Sequence, residues 1–446
     1  MTDTPKDQQL PRVPRLERGG QIRDRWSWVE PAVWNERMLE ALETGVRGGK
    51  WHSLIDKVYR SANLRAAWER VKANQGSGGV DHVTIEAFEV GLDARLESLA
   101  EQLRSGTYRP QPVRRAYIPK PGSAERRPLG IPTVADRIVQ TALRNVIEPI
   151  FEKMFEPTSY GFRPKRRSHQ ALREVERLLR AGHVWVVDVD IQKYFDSIPP
   201  KRLMVEVAKQ IADSGVLSLI DAYLHQGVLE GMRRWTPGLG TPQGGVISPM
   251  LANLYLHAVD VALREAGYEM VRYADDMVIL CQTREEAEAA LTRLRELLEA
   301  RELVLHPTKT RIAHLNERPG FQFLGYVFYS DYRDPRPSSQ QKLRTKVRTL
   351  TKRTNGNSLA AIIAGLNAVL RGWMNYFQFC SSNAWSWSAI DGYVRFRLRA
   401  ILDKRRKAGR KRRRGRGYAH KRWPNRYFTE LGLFSLQGAP KLVLQP

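Results

Sequence analysis

At 446 residues and 42% hydrophobic content, the chain is long enough for two or three domains with sizeable cores. Its 73 Lys and Arg stand against 47 Asp and Glu, and a net charge of +26 in an otherwise globular composition points to a polyanion, with nucleic acid ahead of an anionic membrane surface. A membrane role is excluded by the lack of any apolar run near the roughly 18 residues a span needs, and the opening stretch has no signal-peptide core. Two cysteines, Cys281 and Cys380, make neither a disulfide framework nor a Cys-x-x-Cys zinc pair, so a reducing cytoplasm is the expected setting.

Residues 1 to about 50 are rich in Pro, Arg and Gly with little periodicity, and read as a loose or partly helical arm with Trp26, Trp28 and Trp34 as isolated anchors. Between His52 and Lys72, Leu54, Ile55, Val58, Leu64, Ala67 and Val71 recur at helical spacing, and the helix stops at the loop Ala73-Asn74-Gln75-Gly76-Ser77-Gly78-Gly79. A second amphipathic helix is predicted from Thr84 to Ser105. A short strand around Arg115–Ile118 enters the turn Pro119-Lys120-Pro121-Gly122, and Arg126–Pro132 leaves it. Lys and Arg near such a tip suit phosphate binding, although a solvated hairpin tip has the same composition. Thr133–Phe155 is a strong amphipathic helix, and Tyr160-Gly161-Phe162-Arg163-Pro164 leads into a basic helix, Ser168–Ala181.

Val184–Ile191 is the clearest strand, with Trp185, Val187, Val189 and Ile191 on one face and Val186, Asp188 and Asp190 on the other. Two carboxylates on one face of an apolar strand are what a plain core strand avoids. A helix is predicted from Lys201 to about Gln226, then a loop at Gly238-Leu239-Gly240-Thr241-Pro242-Gln243-Gly244-Gly245. Ser248 as N-cap and Pro249 in the first turn open a helix through Ala266. Tyr273-Ala274-Asp275-Asp276, between Val271-Arg272 and Met277-Val278-Ile279-Leu280, reads as a hairpin with two carboxylates at its turn. A charged helix, Arg284–Arg301, and one buried strand, Phe321–Phe328, follow. Composition shifts at Asp334-Pro335-Arg336-Pro337, where a domain boundary is placed; helices are then predicted over Leu343–Thr351, Leu359–Phe377 and Ala389–Leu402. Lys404 to Arg422 carries twelve Lys or Arg in nineteen positions, a solvated tail by composition and a phosphate-contacting arm if a polyanion is present.

An acidic pair in a turn is by itself an ordinary use of Asp, because its side chain bonds local backbone. A third acid at a strand end about eighty-five positions upstream changes that reading. Carboxylates from two segments, a Gly-rich loop and a basic hairpin are the inventory of two-metal phosphoryl transfer, in which paired Mg²⁺ ions serve the attacking and the leaving oxygen.

These residues resemble a known family. Tyr273-Ala274-Asp275-Asp276, Asp190-x-x-x-x-Phe195-Asp196 and Thr241-Pro242-Gln243-Gly244-Gly245 are similar to palm motifs of reverse transcriptases. Arg127-Pro128-Leu129-Gly130-Ile131-Pro132-Thr133, Phe323-Leu324-Gly325, Asn74-Gln75-Gly76-Ser77-Gly78-Gly79-Val80-Asp81 and Leu370-Arg371-Gly372-Trp373-Met374-Asn375-Tyr376-Phe377 resemble motifs of bacterial group II intron-encoded proteins in particular. The resemblance spans roughly 52 to 400 in order along the chain and implies an α+β right-hand polymerase, with fingers and palm of antiparallel sheet plus helices and a helical thumb. Its implied domains are a 1–51 arm, a 52–110 extension of the fingers, fingers and palm over 111–334, a helical thumb or maturase domain over 335–402, and a basic DNA- or RNA-binding tail over 403–446.

By the same resemblance, Asp190, Asp275 and Asp276 hold two Mg²⁺ ions, and Asp188, two positions early, has a supporting role. Lys120 and Arg127 hold the triphosphate of the incoming dNTP, and Gln243 with its glycines admits the template–nucleotide pair. Phe195 stands where a bulky ring blocks a ribose 2′-hydroxyl, although a packed core aromatic is its plain alternative. Lys309 lies where the family has a basic residue after the palm helix, and a surface lysine is the default reading of it. Arg371, Trp373, Tyr376, Arg412 and Arg413 are candidate RNA contacts. The implied partners are group II intron RNA, an RNA template with a DNA primer, dNTPs and target DNA, with no membrane. The zinc-bearing endonuclease domain of many members is expected to be absent, so priming has to come from elsewhere. Two alternatives stay open: a reverse transcriptase free of any intron, used in defence or spacer acquisition, and an RNA-binding splicing cofactor with a vestigial polymerase.

Overall fold

The alternating strand at the centre of the chain lies between two hydrophobic cores. In the computed structural model, which describes residues 22–119, 126–231, 233–235, 244–330, 332–380, 384–407 and 416–438, it becomes β3 (Trp185–Val189). With β6 (Glu269–Tyr273), β7 (Asp276–Cys281) and β8 (Arg311–His314) it forms a sheet of order β6-β7-β3-β8, and β3 is antiparallel to both of its neighbours. Because successive side chains alternate, Val187, Val189, Met277, Ile279 and Cys281 enter one core with the helices Val134–Met154 and Ser248–Glu265. Val186, Val271, Val278 and Leu280 enter the other, with the helix Ser168–Arg180 and the C-terminal helices. Covering both faces explains why β7 reads as a continuous apolar run rather than an alternating one.

A second sheet holds the basic hairpin: β1 (Val113–Pro119) pairs antiparallel with β2 (Arg126–Ile131) and parallel with β4 (Val228–Glu230), which pairs with β5 (Arg233–Trp235). The third sheet corrects the expected single strand at 321–328. The chain there folds back as β9 (Phe321–Phe323) and β10 (Tyr326–Phe328), joined by Leu324 at φ 48° and Gly325 at φ 84°, and β11 (Arg333–Pro335) completes it. Two consecutive left-handed residues make a tight hairpin turn, and the folding-back stacks Phe321 on Phe328 with ring centroids 4.7 Å apart. Leu324 hides this turn in the sequence, because an apolar residue stands where Asn or Asp would announce it.

Three helical expectations also differ. Thr84–Ser105 divides into Ile85–Glu89 and Leu92–Arg104, with Gly91 left-handed between them. The stretch 201–226 divides into Pro200–Ala208 and Ser214–Leu224, because Asp213 caps the second helix through Val216 N (2.9 Å) while its other oxygen accepts from Leu54 N and Ile55 N. Ser248 is not the N-cap of its helix; Ile247 is already helical, and Gln140 Oε1, from the neighbouring helix, accepts from Val246 N (2.7 Å) and Ile247 N (3.4 Å).

Residues 22–44, expected as a loose or partly helical arm, are partly helical (Glu36–Thr44) and held by aromatic anchors. Trp34 is fully buried and donates Nε1 to Asn145 O (2.9 Å), and Trp26 donates to Glu43 (2.6 Å). At the other end, the helices Pro337–Leu350, Leu359–Tyr376 and Ala384–Lys407 share the second core with Trp423, Phe428 and Leu436. No helix among the described residues is long and apolar enough to cross a membrane.

One buried carboxyl makes this framework pH-dependent. Asp136 accepts from Tyr108 OH (2.5 Å), Thr133 Oγ1 (2.8 Å) and Gln111 N (3.3 Å), yet burial outweighs these bonds and raises its pKa from 3.8 to about 6. A carboxyl whose folded pKa is raised stabilises only while protonated. Its contribution is complete below pH ~4 and is lost as pH rises to about 6, by roughly 3 kcal/mol. Denaturant unfolding at pH 4 and pH 7 should show this loss, and Asp136→Asn should shrink the difference between the two by about that amount.

Candidate active site

Strand register brings the distant acids together. Val189 pairs with Met277, so Asp190, one step beyond β3, arrives at the end of β7 that begins with Asp276. Tyr273 pairs with Asp276 across the β6–β7 hairpin, leaving Ala274 and Asp275 as its two-residue loop, with Ala274 left-handed at φ 61°. Backbone contacts from the 305–310 segment fix Asp190: His306 N donates to its carbonyl (2.7 Å) and its own N–H reaches Thr310 Oγ1 (3.3 Å). Asp188, on the same face of β3, lies 3.5 Å from Arg311 Nε.

The electrostatics show how crowded this end of the sheet is. Burial raises the pKa of Asp275, with its own main-chain hydrogen bond and then Arg127 opposing the rise and Asp190 adding to it. Burial raises Asp276 to about 7, helped by Asp188 and Asp275 and opposed by the Leu324 main chain and Arg336. Lys309 Nζ sits 3.3 Å from Asp190 Oδ2, the lysine exposed and the acid partly so, and the lysine lends this acid a counter-charge. Among the described residues no three His, Cys, Asp or Glu side chains stand together as a preformed metal cluster. The donor set is nonetheless of one kind, carboxylate oxygen, and suits a hard divalent cation; two of its members are pushed toward neutrality by burial and by neighbouring carboxylates, a cost that a shared cation relieves.

The hairpin turn is held from beneath by a residue that sequence reading passed over. Arg272 is fully buried; its Nε donates to Asp260 Oδ1 (2.8 Å), its terminal nitrogens reach Asp260 Oδ2, Asn253 Oδ1 (2.9 Å) and Ala274 O (2.8 Å). Asn253 in turn donates to Gly161 O (2.6 Å). Gly161 packs so tightly on the turn that a Cβ there would lie 2.2 Å from Ala274 N. The available signal was an arginine between Val271 and Tyr273 in an apolar strand, where only a buried partner makes a charge tolerable.

The remaining candidates divide. Arg127 is exposed on β2, paired with Ile118, and near enough for its charge to act on Asp275. Phe195 is partly buried, edge-on to Phe162 (6.3 Å) and Tyr194 (5.6 Å). Trp373 and Tyr376 lie where the C-terminal helices meet the β9–β10 turn and the acidic hairpin: Tyr376 OH donates to Leu324 O (2.8 Å), and both line a cavity of about 700 Å³ with Asp276, Arg336, Lys342 and Lys346. Arg371 lies apart from them, over the ring of Phe434 (4.8 Å). Lys120, Gln243, Arg412 and Arg413 fall outside the described residues.

Residues 118–328 match the family described as reverse transcriptase (RNA-dependent DNA polymerase), and 340–426 match the maturase-specific domain of group II introns. Protein YkfC of Escherichia coli K12 is 34% identical over 319 residues, covering 61% of this chain and 83% of YkfC. The group II intron-encoded protein LtrA of Lactococcus lactis is 40% identical over 196 residues, which is 44% of this chain but only 32% of LtrA. Among solved structures, a chain of a partial Cas6-RT-Cas1–Cas2 complex aligns at TM-score 0.37 and 25% identity, over 56% of this chain and 42% of that one. A polymerase core followed in one chain by an intron-maturase domain is the arrangement of group II intron-encoded reverse transcriptases, and the chain belongs to that family.

Proposed function

We propose that the chain is an RNA-directed DNA polymerase that binds group II intron RNA and assists its splicing and mobility, with Asp190, Asp275 and Asp276 as the ligands of two Mg²⁺ ions. The observation that carries the reading is the β3–β7 register, by which an acid eighty-five positions upstream reaches the acidic turn. In the reaction, the 3′-hydroxyl of the primer attacks the α-phosphorus of a dNTP; its proton is released, the new P–O bond forms, and the bond to pyrophosphate breaks. The bound ions supply positive charge to the attacking and the departing oxygens.

The chain's own residues do the rest. Arg127, with Lys120 beyond the described residues, holds the triphosphate as a forked donor and a point charge. Phe195 packs against the sugar, and Lys309 balances Asp190. The basic, aromatic-lined cavity beside Asp276 accommodates nucleic acid at the junction of the catalytic hairpin and the helical thumb. Intron RNA and target DNA are held largely through phosphates, so their binding should weaken steeply with salt.

The direct test uses purified protein, a DNA primer on an RNA template, dNTPs and Mg²⁺: DNA extension is expected, and its absence refutes the polymerase reading. Gly161→Ala probes the turn without touching an acid. The added methyl displaces Ala274, and a shift on the order of 1 Å should cost extension roughly a hundredfold. Circular dichroism and the thermal midpoint should show the protein still folded.

A further inference from the structure

A residue outside every motif assignment above stands at the catalytic turn with features the fold does not require. Phe162 is 44% exposed, while Gly161 and Arg163 on either side of it are buried. Its φ is 59°, in the left-handed region that a residue with a bulky side chain rarely enters.

The surroundings leave the backbone no alternative. Tyr160 N donates to Arg272 O (2.8 Å), Gly161 O accepts from Asn253 Nδ2 (2.6 Å), and Gly161 lies against Ala274 N. On the far side, Arg163 is forked onto Glu152 (2.8 and 2.9 Å) and donates to the carbonyls of Glu156 and Ser159 (both 2.6 Å). Residue 162 is therefore clamped between two anchored neighbours, one of them packed on the turn that carries Asp275. Its partly exposed ring lies edge-on to Phe195 with centroids 6.3 Å apart and planes at 73°. Phe195 is backed by Tyr194, which is buried and bonded to Ala252 O. Core packing alone does not call for a bulky aromatic, nearly half exposed, on a left-handed backbone, and such an arrangement suits a surface against which something binds.

Resting on the polymerase reading, we infer that Phe162 is a specificity-determining residue, forming with Phe195 a two-ring apolar wall against which the sugar of the incoming nucleotide packs. Deoxyribose presents C–H groups to such a wall. Ribose presents a hydroxyl, which would be stripped of water with no hydrogen-bond partner on either ring. On this account Phe195 alone does not complete the discrimination. Phe162 supplies the second surface and, by its edge-on contact, holds the ring of Phe195 in place.

The test measures kcat/KM for a dNTP and the matching rNTP on a primed RNA template with wild type, Phe162→Gly, Phe162→Tyr, Phe195→Ala and the double variant Phe162→Gly/Phe195→Ala. Glycine adopts the left-handed φ without strain, so Phe162→Gly is expected to keep the wild-type thermal midpoint or exceed it. Discrimination against the rNTP should fall about tenfold or more in Phe162→Gly and be restored within about threefold by Phe162→Tyr. The double variant should discriminate little worse than Phe195→Ala alone, because the two rings act as one surface. If wild type extends DNA but discrimination is unchanged in Phe162→Gly, or dNTP and rNTP use fall by one factor, Phe162 is structural and the inference is overturned. If wild type extends no DNA, the polymerase reading fails and this inference falls with it.

Discussion

Replacement of Asp275 by alanine is expected to lower DNA extension on an RNA template by a factor on the order of 10³ or more, with the fold intact and RNA binding retained. Asp275 sits in the two-residue loop between β6 and β7, and burial already holds its carboxyl above the usual range. An acid kept in so unfavourable a setting does not stabilise the fold, so its removal should leave the thermal midpoint unchanged or raise it, as happens where activity and stability compete. The combination is diagnostic. Structural damage would lower extension, stability and RNA binding together, whereas loss of a ligand lowers extension alone. Asp275→Asn separates charge from shape: the amide keeps the volume but lacks the anionic oxygen, and extension should be lost nearly as completely. Extension within tenfold of wild type in either variant would refute the metal assignment for this residue.

Arg272→Met is expected to cost about 3–5 kcal/mol of stability, because it leaves Asp260 as an unpaired, wholly buried carboxylate. That is a large part of the ~5–15 kcal/mol by which a domain is ordinarily stable. Urea unfolding of the single variant, of Asp260→Leu and of the double variant measures it. Removing both charges should restore much of the loss, since an apolar pair of similar volume is commonly as stable as a buried ion pair. Extension should stay impaired even in the restored double variant, because Arg272 also donates to Ala274 O and Asn253 Oδ1 and so supports the acidic turn from below. A cost under about 1 kcal/mol in Arg272→Met would mean that the pair is not the anchor its geometry suggests.

How much of this was legible in advance depends on the range of the interaction involved. The period-two pattern of Val184–Ile191, the acidic turn at Asp275–Asp276 and the amphipathic stripe of Thr133–Phe155 are written in neighbouring residues, and each became the expected element: β3, the β6–β7 loop and the helix Val134–Met154. Charge and composition, counted over the whole chain, pointed to nucleic acid, and the resemblance of the motifs to those of a known family anticipated the family that the comparisons then identified. Where an element ended was less legible. The break at Asp213 and the early start before Ser248 depend on hydrogen-bond partners from elsewhere in the chain, and the fold-back at Leu324–Gly325 on a left-handed Leu324 that its residue type does not announce.

By itself the sequence therefore determined which residues carry charge, which stretches have helical or strand period, and which acids are available for chemistry. Only the tertiary structure decided that Val189 lies opposite Met277, so that Asp190 reaches Asp276; that Asp260 receives Arg272 in the core; and that Phe162 is held left-handed beside Phe195. The physical reason is that local backbone preference is set within a few residues, whereas register, burial and charge pairing join segments tens to hundreds of residues apart and exist only once the chain has closed around them.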